Sequence, residues 1–142
     1  MRKTVRTRLF ISYARCDVAQ AVALERALLS RDLATWRDQR DIETDWSREI
    51  AQALAASSAC CVIWTEHAAQ SHWVRHEWLT ARALGKPLHI VAPRGVAALP
   101  RPLQNAELIV GDDVGRWAEE IVERTAAGRA PTIDYTIVPE GS

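Results

Sequence analysis

Cys60-Cys61-Val62-Ile63-Trp64 is apolar at every position, and this unbroken run decides the fold. A strand with one wet face alternates, whereas a strand covered on both faces stays apolar throughout, as in a parallel sheet between helices. Neighbouring strand residues point to opposite faces, so Cys60 and Cys61 pack into different layers and suit neither a disulfide nor a shared metal site. Downstream, Ser71-His72-Trp73-Val74-Arg75-His76-Glu77-Trp78 reads as a helix start, with Ser71 placed to cap the free N–H groups of the first turn. At about 100° per residue, Val74, Trp78 and Ala81 share a buried stripe. Trp73 and Glu77, four residues apart, run together along its margin. Gly85, with Pro87 beyond it, ends that helix.

The same grammar extends outward. Leu9-Phe10-Ile11-Ser12-Tyr13 is a first strand, and Asp17-Val18-Ala19-Gln20 has capping-box spacing before a helix with a wide apolar face. Leu33-Ala34-Thr35-Trp36 is a short second strand. The charged loop from Arg37 to Asp45 follows, long for its place and so a candidate for function. Trp46, Ile50, Ala53 and Leu54 mark the next helix. Leu88-His89-Ile90-Val91-Ala92 and Glu107-Leu108-Ile109-Val110 are strands four and five, separated by a Pro/Gly-punctuated loop. Asp113 caps a last helix whose Val114, Trp117, Ala118, Ile121 and Val122 keep the helical period. From residue 128 the chain turns polar and Pro-bearing. Its segment 132–138 alternates like a strand but is followed by no helix, so 128–142 reads as a tail or linker to a further domain or partner, and 1–127 as the domain. Strands alternating with helices give a flavodoxin-like, doubly wound α/β fold with a five-stranded parallel sheet.

Composition excludes several classes. The formal net charge of the 142 residues is zero, so no bulk field draws nucleic acid or an anionic membrane. Arg outnumbers Lys 16 to 2, which reads as the coding bias of a bacterial source and not as a binding signal. His72 and His76 stand at i, i+4, but no Cys or acid in their vicinity completes a ligand set, and no metal site is expected. The basic start, Met1 to Arg8, is followed by no long apolar segment. Neither a signal peptide nor a membrane span is expected, and the expected compartment is the cytoplasm.

Set in this order, three elements together resemble the TIR (Toll/interleukin-1 receptor) domain family over about Thr7 to Ala126. They are Phe10-Ile11-Ser12-Tyr13-Ala14-Arg15-Cys16-Asp17, then Trp36-Arg37-Asp38 with Ile42, then Ser71 with Trp73-Val74-Arg75-His76-Glu77 as the family's Ser-x-Trp-Val-x-x-Glu element. The chain departs from the family pattern at Asp45-Trp46, where a Gly ordinarily precedes the aromatic that closes the BB loop. It departs again at Thr65, where the third strand ordinarily ends in Ser. The resemblance implies an NAD-cleaving enzyme with Glu77 catalytic and Tyr13, Arg15, Asp38, Glu43 and Trp73 shaping the substrate pocket. It also implies NAD+ as substrate with no cofactor, and self-association through the BB loop, residues 37–45. An activating partner or a C-terminal sensor domain would cluster it, as the effector of a bacterial antiphage system.

One carboxylate suffices for such chemistry. Glycosidases need a second acid because their leaving alkoxide must be protonated, whereas nicotinamide leaves a pyridinium as a neutral ring. A lone acid can then oppose the positive charge that develops on the ribose, an indole can stack on the cationic ring, and Arg15 can hold a phosphate. The rival class is a TIR assembly module without turnover, which needs no such acid. A phosphoryl-receiver domain would require an Asp at the end of the third strand, where this chain has Trp64-Thr65-Glu66.

Overall fold

The computed structural model describes residues 8–37, 47–96 and 98–137, with only the helical course given for 126–137. Among these residues the strands Arg8–Ser12 (β1), Ala34–Arg37 (β2), Ala59–Ile63 (β3), Leu88–Ala92 (β4) and Glu107–Val110 (β5) form one 5-stranded parallel sheet in the order β2-β1-β3-β4-β5. The helices are Val18–Leu29 (α1), Ser47–Ala55 (α2), Glu66–Ala69 (α3), His72–Ala83 (α4) and Val114–Ile137 (α5). This is the doubly wound α/β sheet expected from the apolar run at residues 60–64, since parallel neighbours can be joined only by crossovers.

The sheet separates two cores. Leu9, Ile11, Cys61 and Ile63 face α1 and α5, while Phe10, Cys60 and Val62 face α2 and α4. Adjacent cysteines thus serve opposite layers, as their spacing requires. Burial pushes the Cys61 thiol up to about 12 and holds Cys60 higher than an ordinary thiol too, with the charges of Glu77 and Cys61 adding to the burial at Cys60. Both sulfurs are inert packing groups.

Local signals set the helix ends. The Ser71 hydroxyl accepts from Val74 N–H at 3.1 Å, and Gly85 closes α4 at φ 73°. Gly85 N–H donates to Arg82 O at 3.0 Å and Lys86 N–H to Ala81 O at 2.9 Å, the paired bonds of a Schellman cap. At the end of α1 the same motif places a non-glycine, Asp32, at φ 65°; Asp tolerates that region better than most side chains.

Four expectations change. Val18 and Leu29 are 43% and 58% exposed, so only Ala21, Leu24 and Leu28 of α1 are fully buried, a narrower face than the residue types suggest. Asp17 precedes α1 but makes no side-chain cap bond, because its carboxylate accepts from the Thr65 hydroxyl instead. The short helix α3 is an addition, since four residues carry no readable period. At the C-terminus α5 runs through Ile137. Alternation makes a strand only where a sheet edge takes it up.

His89 of β4 is 6% exposed, and its Nδ1 has no hydrogen-bond partner among the described residues. Burial holds its pKa below the ordinary value, with Glu107 pulling it up and Arg124 pushing it down. The folded state therefore resists protonation. As pH falls below about 6.5 the unfolded chain takes up the proton first, so stability is lost from there down to the depressed folded-state pKa. A His89→Val variant is expected to show a smaller drop in thermal midpoint between pH 7.5 and pH 5 than the wild type. An equal drop would remove His89 as its source.

Candidate active site at the carboxyl edge of the sheet

Ser12 ends β1 on the α4 side of the sheet, two positions beyond Phe10 on the same face. It is 0% exposed, and its hydroxyl donates to Glu77 Oε1 at 2.5 Å. Glu77 itself is 5% exposed. The helical period put it at the margin of the α4 stripe. The structure puts it inside, because α4 lies flush over β1, β3 and β4 and the margin falls directly on Ser12. A carboxylate taken out of water needs hydrogen-bonded partners, and Ser12 is one that sequence reading passed over. The available signal was a polar side chain ending an otherwise apolar core strand.

Trp73, one turn before Glu77, is half-buried and packs against the α2/α4 core. Its ring meets His76 edge-on with centroids 5.6 Å apart and tilts against His72 at 5.7 Å. Trp73 and Glu77 therefore share one helix face, as their spacing requires, with the indole nearer solvent. Tyr13 goes the other way. It packs with the α1/α5 core, and its hydroxyl accepts from Arg37 Nη1 at 3.2 Å. Arg37 also donates through Nε to Glu25 Oε1 at 3.2 Å. Burial works against this guanidinium's charge, but Tyr13 and Glu25 prevail and raise its pKa. Tyr13 is thus across the sheet from Glu77 and fixes the root of the loop that begins at Arg37. Arg15 sits in a short 3-10 turn, Arg15–Asp17, exposed and in no ion pair with a described residue. Asp38 and Glu43 lie outside the described residues, as does the BB loop beyond Arg37.

Two further features lie nearby. An apolar cavity of about 410 Å³ opens at the ends of β3, β4 and β5, lined by Trp64, Val96, Leu99, Leu108 and Val110 among others. Among the described residues, none of the sequence-predicted site residues lines it, and none of those that do carries a charged side chain. Closer to Ser12, the carboxyl ends of β1 and β3 bring Cys16, Asp17 and His67 together. The sequence showed no such set, because its members come from two segments about 50 residues apart.

The Ser12–Glu77 bond predicts its own perturbation. Ser12→Ala leaves the carboxylate buried without that donor, which costs about 1–3 kcal/mol of stability. If the bond also aims Glu77, turnover drops with it while Ser12→Thr retains most of both. Thermal midpoints and rates for the pair check this; an alanine variant with wild-type stability would show the bond to be energetically idle.

The sequence matches the family model described as TIR domain over residues 9–125. None of the curated protein sequences compared with it matches. Among solved structures, it is similar to the Clostridium botulinum CMP N-glycosidase BcmB, at TM-score 0.61 and 16% identity over 83% of this chain and 99% of that one. It is similar to the TIR domain of the Toll-related receptor TRR-2 from Hydra magnipapillata, at TM-score 0.62 and 16% identity over 89% and 95% of the two chains. The TIR domains of the activated Roq1 resistosome, which recognises the pathogen effector XopQ, align at TM-score 0.54 and 15% identity over 89% and 76%. At such identities the likeness is one of fold.

Proposed function

Because this chain belongs to the TIR domain family, we propose that it is an NAD+ nucleosidase cleaving the bond between nicotinamide and ribose, with Glu77 as its catalytic carboxylate. The observation that carries this reading is the buried Glu77 held by Ser12 at the carboxyl edge of the central strands. That edge is where open α/β sheets bind ligands, and a buried acid tied down by a hydroxyl is a prepared electrostatic group.

In this reading the C1′–N bond breaks with its electrons passing to the pyridinium nitrogen, and nicotinamide departs neutral. Glu77 faces the cationic ribose that remains. Water captures it to give ADP-ribose, or a nucleophile within the same molecule gives a cyclised product. Trp73 stacks beside the ring, Arg15 takes a phosphate, and Asp38 and Glu43 are the loop acids assigned to the same pocket. Tyr13 contributes by holding Arg37 at the loop's root. Neither Cys60 nor Cys61 serves as a nucleophile, since burial keeps both thiols protonated. BcmB, similar in fold, is a CMP N-glycosidase, and its cleavage of an N-glycosidic bond supports the reaction class.

The same proposal includes activation by clustering. Trp73 and Glu77 cover one side of a dinucleotide, and a neighbouring protomer's loop, residues 37–45, supplies another wall in a head-to-tail contact that extends rather than closes. The cellular role proposed is a cytoplasmic antiphage effector, brought together by a partner or a C-terminal sensor domain. Among the described residues no helix is long and apolar enough to cross a membrane. The test is incubation of the dilute and the forcibly clustered protein with NAD+, with products identified by mass spectrometry. Nicotinamide release that rises steeply on clustering is expected. No release from the clustered protein would leave a TIR assembly module without turnover.

A further inference from the structure

We propose that Cys16, Asp17 and His67 form a binding site for a borderline divalent transition metal of the Zn2+ class, with a coordination position open to solvent. Their ligand atoms lie within 4.8 Å of one another. Tetrahedral coordination at Zn bond lengths places ligands roughly 3.3–3.7 Å apart, so closure takes a contraction of at most about 1.5 Å, within reach of rotamer adjustment. Cys16 and His67 are exposed and can make that adjustment without disturbing either core. Thiolate, imidazole and carboxylate together suit Zn2+ and Co2+ and are a poor set for Ca2+ or Mg2+.

The scaffold behind these donors is what distinguishes the cluster from a chance meeting of surface groups. Thr65, 8% exposed, caps α3 by accepting from Ala68 N–H at 3.1 Å and donates the same hydroxyl to Asp17 Oδ2 at 2.5 Å. One buried oxygen therefore fixes the helix that carries His67 and orients the Asp17 carboxylate, leaving Oδ1 to ligate. Carboxylates that ligate metals are ordinarily hydrogen-bonded in turn, as Asp17 is here. The competing pair, His72 and His76, lacks it: the His76 Nε2 is buried and its ring lies against Trp73. On binding, the Cys16 thiol loses its proton to solvent as the metal–sulfur bond forms. The ion then ties the segment after β1 to the segment after β3, on the side where Arg15 leaves the sheet.

The test uses the tag-free chain titrated with Co2+ and, by calorimetry, with Zn2+. One equivalent of Co2+ should produce a near-ultraviolet thiolate-to-cobalt band that Zn2+ displaces, and Zn2+ should raise the thermal midpoint by several degrees when in large excess over its Kd. Cys16→Ser should abolish the band. His67→Ala and Asp17→Asn should each weaken Zn2+ binding by more than tenfold; the metal-free thermal midpoint of His67→Ala stays near wild type because His67 is exposed, and Asp17→Asn keeps an oxygen that can accept the Thr65 hydroxyl. His72→Ala should change nothing. Absence of saturable binding below millimolar Zn2+, binding that survives both Cys16→Ser and His67→Ala, or binding lost with His72→Ala would overturn the assignment.

Discussion

Glu77→Gln is expected to lower NAD+ turnover by roughly 10²-fold or more, an effect the size of removing one preorganised electrostatic group. The substitution keeps the volume and an oxygen able to accept the Ser12 hydroxyl, so the bond seen at 2.5 Å has a replacement acceptor. What it removes is the negative charge that, in the proposed mechanism, opposes the ribose cation. Stability should change far less than activity, although Glu77 is buried and not marginal. The loss should fall on kcat, since charge develops only as the glycosidic bond breaks. Near wild-type NAD+ consumption by a folded Gln variant would take the catalytic role away from Glu77.

Trp78→Ala should be the costliest single change on α4. Trp78 is 4% exposed against the α2/α4 core, and truncating a core Trp costs about 3–5 kcal/mol. For a domain of this size that lowers the thermal midpoint by about 10 °C or more. Trp73→Ala removes a half-buried ring and should cost about 1–2 kcal/mol, while impairing NAD+ use more than Trp78→Ala does at a temperature where both variants are folded. The two indoles lie five residues apart on one helix, so the contrast isolates their environments. If Trp73→Ala proved the more destabilising, the assignment of the substrate-facing side would fail.

The parts legible in the sequence were those governed by local rules. The apolar run at residues 60–64 announced a strand covered on both faces, Ser71 and Gly85 marked the ends of α4, and Val74, Trp78 and Ala81 marked its buried stripe. What escaped was set by which strands become neighbours. Ser12 is an ordinary polar strand end until α4 lies over it. Cys16 and His67 are unrelated until β1 and β3 pair side by side, with Ser12 opposite Val62. Tyr13 follows the same logic in reverse: its motif places it near the site, but strand alternation sends it to the other face with Leu9 and Ile11. The cap expected at Asp17 failed because Thr65, distant in sequence, claimed the carboxylate.

The parallel sheet also dictates when the protein comes into being during synthesis. β1 emerges first, yet it pairs with β2 on one side and β3 on the other, so its apolar Leu9-Phe10-Ile11 stays half-covered until some 50 further residues have followed. The Ser12–Glu77 bond spans 65 positions and cannot form before α4 has left the ribosome. Contacts of such long separation fold slowly and leave strand edges exposed in the interval. A nascent or truncated chain ending before α4 is therefore sticky, and it has no assembled carboxylate site.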